Sequence, residues 1–250
     1  MGRMIQTDFK KIFGDYHIYL CILALGFICS LAYLEMTSGQ IYFFDFTNEF
    51  TILLSNEIIL FCFLICIVGG SFLYCSEEKY GYIKFEIQRV GIKIYTISKL
   101  VTSVASGFIV SISGMAMSVI TMIINGYLRG NTAIQIWPSL NDLEQFIWQI
   151  LLFSLLCGLL SAMGFLVTTF YTNYYVAMTA PILIYYALLS LYVWIPVPEE
   201  LQISKVFLVV SSVDDKFEYY GIYAILYTIC FIIIFYQIAK KKIQRRLEHV

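Results

Sequence analysis

The chain has 250 residues, 60% of them hydrophobic and 13% charged, with a formal net charge of −1. Soluble domains sit near about 45–50% apolar and about 25% charged. This composition therefore excludes an ordinary soluble domain and fits an integral membrane protein with no nucleic-acid partner.

At the start, Ile5, Phe9, Ile12, Phe13 and Tyr16 fall at helical spacing, with Asp8, Lys10 and Lys11 on other faces. The pattern predicts an interfacial helix over 4–16; the alternative is a first span extended by a charged start. The run 18–34 lacks a small-x-small cleavage site and is followed by further apolar runs, so it reads as a span that stays with the chain.

A bilayer crossing needs about 20 mostly apolar residues, and six stretches qualify: about 17–34, 57–75, 99–125, 146–170, 176–195 and 219–238. Thirteen of the 16 Lys and Arg residues lie at the N-terminus, in 76–99, in the turn at 171–175 or in the C-terminal tail. The opposite loops hold only Arg129, Lys205 and Lys216, together with 11 of the 17 acids when Glu57 is counted among them. By the positive-inside rule both termini and the 77–99 region are cytoplasmic, in a multi-pass protein of the plasma membrane.

Between the second and third spans lies the polar stretch EEKYGYIKFEIQRVGIKIYTISK, with five positive and three negative side chains. Tyr80, Ile83, Ile87, Val90, Ile94 and Ile97 form one apolar stripe at helical period. Gly91 predicts a break, with the third span rising after it. An amphipathic segment over 77–95 follows, able to rest on lipid or to dock on a soluble partner; its mixture of charge leans toward a protein.

In the third span Ser103, Gly107 and Ser111 repeat every four residues, and in the fourth Ser154, Gly158 and Ala162 do the same. Such faces let helices approach closely in lipid. After the fifth span, Pro196, Pro198 and two acids precede the short apolar run VFLVVSSV. Eight residues cannot span a bilayer, so 196–218 reads as a re-entrant segment, with a strand or an external lid as alternatives.

The seven cysteines lie within or beside apolar runs, and Cys62 and Cys66 share a helical face without a neighbouring His or acid; they read as packing residues rather than metal ligands. No disulfide framework and no metal site is expected. His17 and His249 cannot form a helix-borne metal pair, and Tyr82 stands where a Glu-Glu-x-x-x-Arg motif would need Arg. Neither a nucleophile elbow nor a phosphate-binding Gly-x-x-x-x-Gly-Lys-Ser/Thr loop occurs. No catalytic residue is therefore assigned, and no cofactor is expected in this chain. Among the scattered intramembrane polar residues Glu57, at a helix mouth, is the ionisable candidate; the alternative is an interfacial acid facing water.

Six spans, an interfacial N-terminal helix, a charged amphipathic segment after span two and a short re-entrant stretch before span six resemble the ABC-2 family, the membrane subunits of type-2 ABC exporters. The order of acid, glycine, basic residue and lysine from Glu77 through Gly81 and Arg89 to Lys99 resembles that family's pattern after its second span. Tyr82 after the glycine, and the lack of a proline near Val90, depart from it. The resemblance implies that 77–95 is a coupling helix seated in a separate ATPase, with Glu77, Glu78, Lys84, Glu86, Arg89 and Lys93 as contacts. ATP and Mg would bind that partner, present in two copies, and a second permease chain, identical or not, would complete the transporter. Spans two and five would line the substrate path, with Glu57, Phe61, Phe63, Tyr185, Tyr186 and Tyr192 on it. The expected cargo is an antimicrobial or other amphipathic peptide, or a hydrophobic drug. Competing readings are a lipid or polysaccharide exporter permease, a stand-alone membrane immunity or binding protein, and the capture subunit of an importer.

Overall fold

The computed structural model describes residues 2–37, 58–128, 140–195, 198, 202–208 and 217–248. The elements are α1 (Gly2–Gly14), α2 (Tyr16–Thr37), α3 (Ile58–Lys79), α4 (Tyr82–Val90), α5 (Ile92–Leu128), α6 (Leu140–Phe170), α7 (Tyr174–Trp194), α8 (Ile203–Leu208) and α9 (Phe217–Glu248). There is no strand among the described residues. Lipid offers no hydrogen bonds to a peptide group, so an apolar chain of this composition satisfies its backbone within helices.

Five helices are long and apolar enough to cross a membrane: Tyr16–Leu34, Ile92–Asn125, Leu143–Phe170, Tyr174–Tyr192 and Tyr220–Arg246. The expected span at 57–75 falls on α3, a 22-residue helix that includes the apolar stretch Ile58–Gly70. These are the helices of a multi-pass membrane protein.

α6 is the central post, packing on α3, α5, α7, α8 and α9. Its most intimate neighbour is α5, and the reason lies in the small residues. A Cβ on Gly107 would stand 2.7 Å from Ser161 Cβ and 2.8 Å from the Cys157 carbonyl oxygen. One on Gly158 would stand 3.0 Å from the Val104 carbonyl oxygen. Ser154 Oγ donates to Ser111 Oγ at 3.2 Å, and Ser103 Oγ reaches the Gly70 carbonyl of α3 at 3.3 Å. The small-residue repeats read from the sequence thus meet each other.

Cys21, Cys29, Cys62, Cys66, Cys75 and Cys157 are buried free thiols, and Cys230 is exposed. Cys29 and Cys62 touch, sulfur to sulfur, at 3.6 Å. Within the expected re-entrant segment, α8 is a six-residue helix that buries Val206 and Phe207 against α6 and α9; most of 196–218 otherwise lies outside the described residues.

The N-terminal helix corrects one expectation. Asp8 was expected on a polar face, but α1 turns Met4, Asp8 and Ile12 inward, at i, i+4 and i+8. Ile5, Phe9 and Phe13 are only half-buried beside them. What makes Asp8 welcome inside is a lysine waiting there.

Candidate functional site

α1, the end of α3, α4 and the start of α5 converge at one end of the bundle, and Lys99 of α5 stands at their centre. Its Nζ lies 2.6 Å from Glu77 Oε1 and 2.9 Å from Asp8 Oδ1, with its side chain 1% exposed. Glu86 Oε2, from α4, is 3.8 Å away. Lys11 of α1 donates to Glu77 Oε1 at 3.0 Å and to Glu86 Oε1 at 2.7 Å. Ser98 Oγ donates to Asp8 Oδ2 at 2.5 Å, and Tyr95 Oη donates to Glu77 Oε2 at 3.1 Å. Four helices are thereby joined through three carboxylates and two ammonium groups.

Burial alone would not tolerate these charges; mutual pairing and added hydrogen bonds do. For Lys11, desolvation opposes the charged form, but the hydrogen bonds and charges of Glu86 and Glu77 outweigh it and raise its pKa above the usual lysine range. Asp8, Glu77 and Glu86 offer oxygens that all lie within 4.8 Å of one another, the spacing of a hard-cation site. The Lys99 ammonium already serves as their cation.

A second pairing closes the same end. Arg246 of α9 pairs with Glu78 of α3, and its Nη2 donates to the Phe170 carbonyl at 2.8 Å. Lys242 Nζ sits 5.0 Å from the Phe170 ring centroid. Partial burial raises the Glu78 pKa, and the Arg246 charge opposes that rise.

α4 is set between two glycines with positive φ, Gly81 at 72° and Gly91 at 81°. L-residues rarely adopt such φ, so glycine is what lets the chain turn sharply at both ends. On α4, Ile87 is buried and Ile83 and Val90 are partly buried, in one apolar cluster with Met4, Tyr74 and Tyr95. Of the residues singled out from sequence, Glu77 and Glu86 belong to the clasp and Glu78 pairs with Arg246, whereas Lys84, Arg89 and Lys93 are exposed.

Deeper in the bundle the second group of candidates partly converges. Phe63 is fully buried, and its ring meets Tyr185 edge-on at 5.2 Å and stacks on Phe153 at 5.9 Å. Tyr186 lies 5.6 Å from Tyr185, ring to ring. Tyr192 is partly buried and accepts a long hydrogen bond from the Ile203 amide at 3.5 Å. Tyr185 Oη is buried without a hydrogen-bond partner among the described residues. Phe61 points elsewhere and is 53% exposed. Glu57 lies outside the described residues.

Sequence reasoning gave no role to Asp8, Lys11 or Arg246, and Lys99 entered only as the end of the order that begins at Glu77. One signal was available for Lys99: it is the last charge before the uncharged stretch 100–128, where a lysine sitting at an apolar boundary needs a partner. Comparison of the chain with family models, with curated proteins and with solved structures yields no match.

Proposed function

We propose that the chain is the permease subunit of an ATP-driven exporter of the ABC-2 kind. α2, α3, α5, α6, α7 and α9 are its six spans, and the clasped end faces the cytoplasm. Two such chains work with two copies of a separate ATPase that binds ATP and Mg. The cargo is an amphipathic peptide or a hydrophobic, drug-like molecule, and the aromatic group of Phe63, Tyr185 and Tyr186 borders its path.

The observation that supports this reading is the construction of α4. It is a nine-residue amphipathic helix pivoting on two positive-φ glycines, its inner face held to the bundle and its outer face bare. A force applied to the outer face reaches α1 through Glu86 and Lys11, and α5 through Glu86 and Lys99. Such a lever converts closure of a soluble motor into a rigid-body shift of spans.

The test is affinity purification from native membranes in mild detergent, followed by ATP hydrolysis and transport in reconstituted vesicles. A stoichiometric ATPase whose activity depends on this chain is expected. An intact, partner-free chain across several detergents sinks the reading and leaves the stand-alone binder.

A further inference from the structure

Beside the clasp, α1, the start of α2, α3 and the start of α7 border a pocket of about 270 Å³, near the low end of the roughly 300–1,000 Å³ that small-molecule sites occupy. One face of α3 gives the pocket its length. Gly69 and Ser76 are seven residues apart, and Val68 and Lys79 eleven, so all four share that face. At about 1.5 Å per residue the pocket runs roughly 16 Å along the helix. Its lining changes on the way: Val68 and Gly69 belong to the apolar stretch Ile58–Gly70, whereas Ser76 and Lys79 belong to the charged end of α3. The buried Ile12 and Ile18 extend the apolar wall. The crossing stretches Tyr16–Leu34 and Tyr174–Tyr192 both begin at this pocket, which His17 and Tyr174 line. It therefore straddles the boundary between hydrocarbon and headgroups, the level at which tyrosine gathers.

The charges of the lining favour an anion. Asp15, the one acid on it, accepts from the His17 amide at 3.3 Å and lies 4.0 Å from His17 Nε2, so it is engaged with the first turn of α2. Lys11 Nζ gives two hydrogen bonds, to Glu77 and Glu86; an ammonium has three N–H groups, and one is left. Lys79 is exposed and has no ion-pair partner among the described residues. Ser76, Tyr80 and Tyr174 bring hydroxyls to the same lining.

We infer that this pocket binds a phosphate group, and that the phosphate is that of a membrane phospholipid. Lys79 and the remaining N–H of Lys11 make charge-assisted hydrogen bonds to its oxygens. The apolar wall takes the glycerol and the first methylenes of the chains, whose burial adds to binding; a free phosphate has no use for such a wall. Because Lys11 also holds Glu77 and Glu86, the bound phosphate fastens α1 more firmly to the ends of α3 and α4. The inference needs only that the chain spans a membrane, and it stands or falls apart from the exporter reading.

The experiment takes the full chain in mild detergent, freed of native lipid, and offers it dioleoylphosphatidylglycerol, dioleoylglycerol, which keeps the chains and lacks the phosphate, or inorganic phosphate. Native mass spectrometry counts the bound lipid, and thermal melting reads the stabilisation. The parent is expected to retain one phosphatidylglycerol and to melt at a higher temperature with it. Lys79→Gln should bind that lipid about tenfold more weakly, as the loss of one hydrogen bond to a charged group predicts. Lys84→Gln, which removes the same charge outside the pocket, should bind like the parent. Lys79 is exposed, so an unchanged melting temperature without lipid will show that the variant folds. Equal binding by all three chains, or equal weakening in both variants, overturns the inference. Dioleoylglycerol held as tightly as phosphatidylglycerol overturns it too, since the phosphate then has no part in recognition. Displacement of the lipid by millimolar inorganic phosphate overturns the lipid assignment and leaves a site for a free anion.

Discussion

Two seams hold this bundle, and they are built on opposite principles. Along α5 and α6, glycine and serine keep side chains small so that backbones meet, and a hydroxyl pair, Ser154 with Ser111, bridges them. At the clasped end, charged side chains from three other helices close on the buried Lys99. The first seam gains from dispersion spread over several turns and is indifferent to pH and salt. The second concentrates its energy in a few ions, so the loss of one partner strands the others.

The largest expected effect comes from breaking the ionic seam. Lys99→Ala strands Asp8 and Glu77, and it should lower unfolding stability in mild detergent by about 3–5 kcal/mol. Because the freed carboxylate oxygens lie within 4.8 Å of one another, millimolar calcium should restore part of that loss in the variant and leave the parent unchanged. A calcium-blind variant would mean that the acids relax apart.

The packing seam should respond to size alone. Gly107→Val forces a side chain into Ser161 and the Cys157 carbonyl, at a cost of about 1–3 kcal/mol that no cation rescues. Equal rescue of both variants by calcium would mean that the two seams do not differ in this way.

Lys11→Met should cost about 1 kcal/mol, since this lysine is half exposed and its pairs are partly screened. Its pH dependence carries a sign. The folded pKa is raised above the unfolded value of about 10.4, so the stabilisation is complete below that pH and is lost as pH climbs through the folded value. The stability gap between parent and Lys11→Met should therefore stay flat from neutral pH up to about pH 10 and narrow only beyond it. A gap that closes near neutrality would transfer the titration to another group.

Ser154→Ala removes a single interhelical hydroxyl contact, and about 0.6 kcal/mol should disappear. A loss several times larger would show that the small-residue seam is held by hydrogen bonds after all.

The two seams also differ in how they could be read from the chain. Ser103, Gly107 and Ser111 announce themselves because their spacing is that of one helix face, and so does the break at Gly91. The clasp assembles residues 8, 11, 77, 86 and 99, and nothing in their spacing along the chain shows that they meet. Asp8 reads as a solvated charge on a helix whose apolar residues lie nearby, and only the arrival of Lys99 from another helix reverses that. The same holds for the sorting of charge around α4: five cations and three acids are visible in the sequence, but which sign faces outward is decided by Lys11 and Arg246, supplied from elsewhere. Phe63 and Tyr185 were legible as aromatics on two spans; their edge-on meeting depends on how α3 and α7 pack.

The paired glycines around α4 have one more consequence. Because the chain turns at the positive-φ Gly81 and Gly91, and because among the described residues Glu86, Ile83, Ile87 and Val90 fasten the segment, the exposed positions 82, 84, 85, 88 and 89 can be rewritten without touching the body of the bundle. On the proposed exporter reading, transplanting a different set of residues into those five places should redirect the chain to a different motor while the rest of the bundle stays as it is.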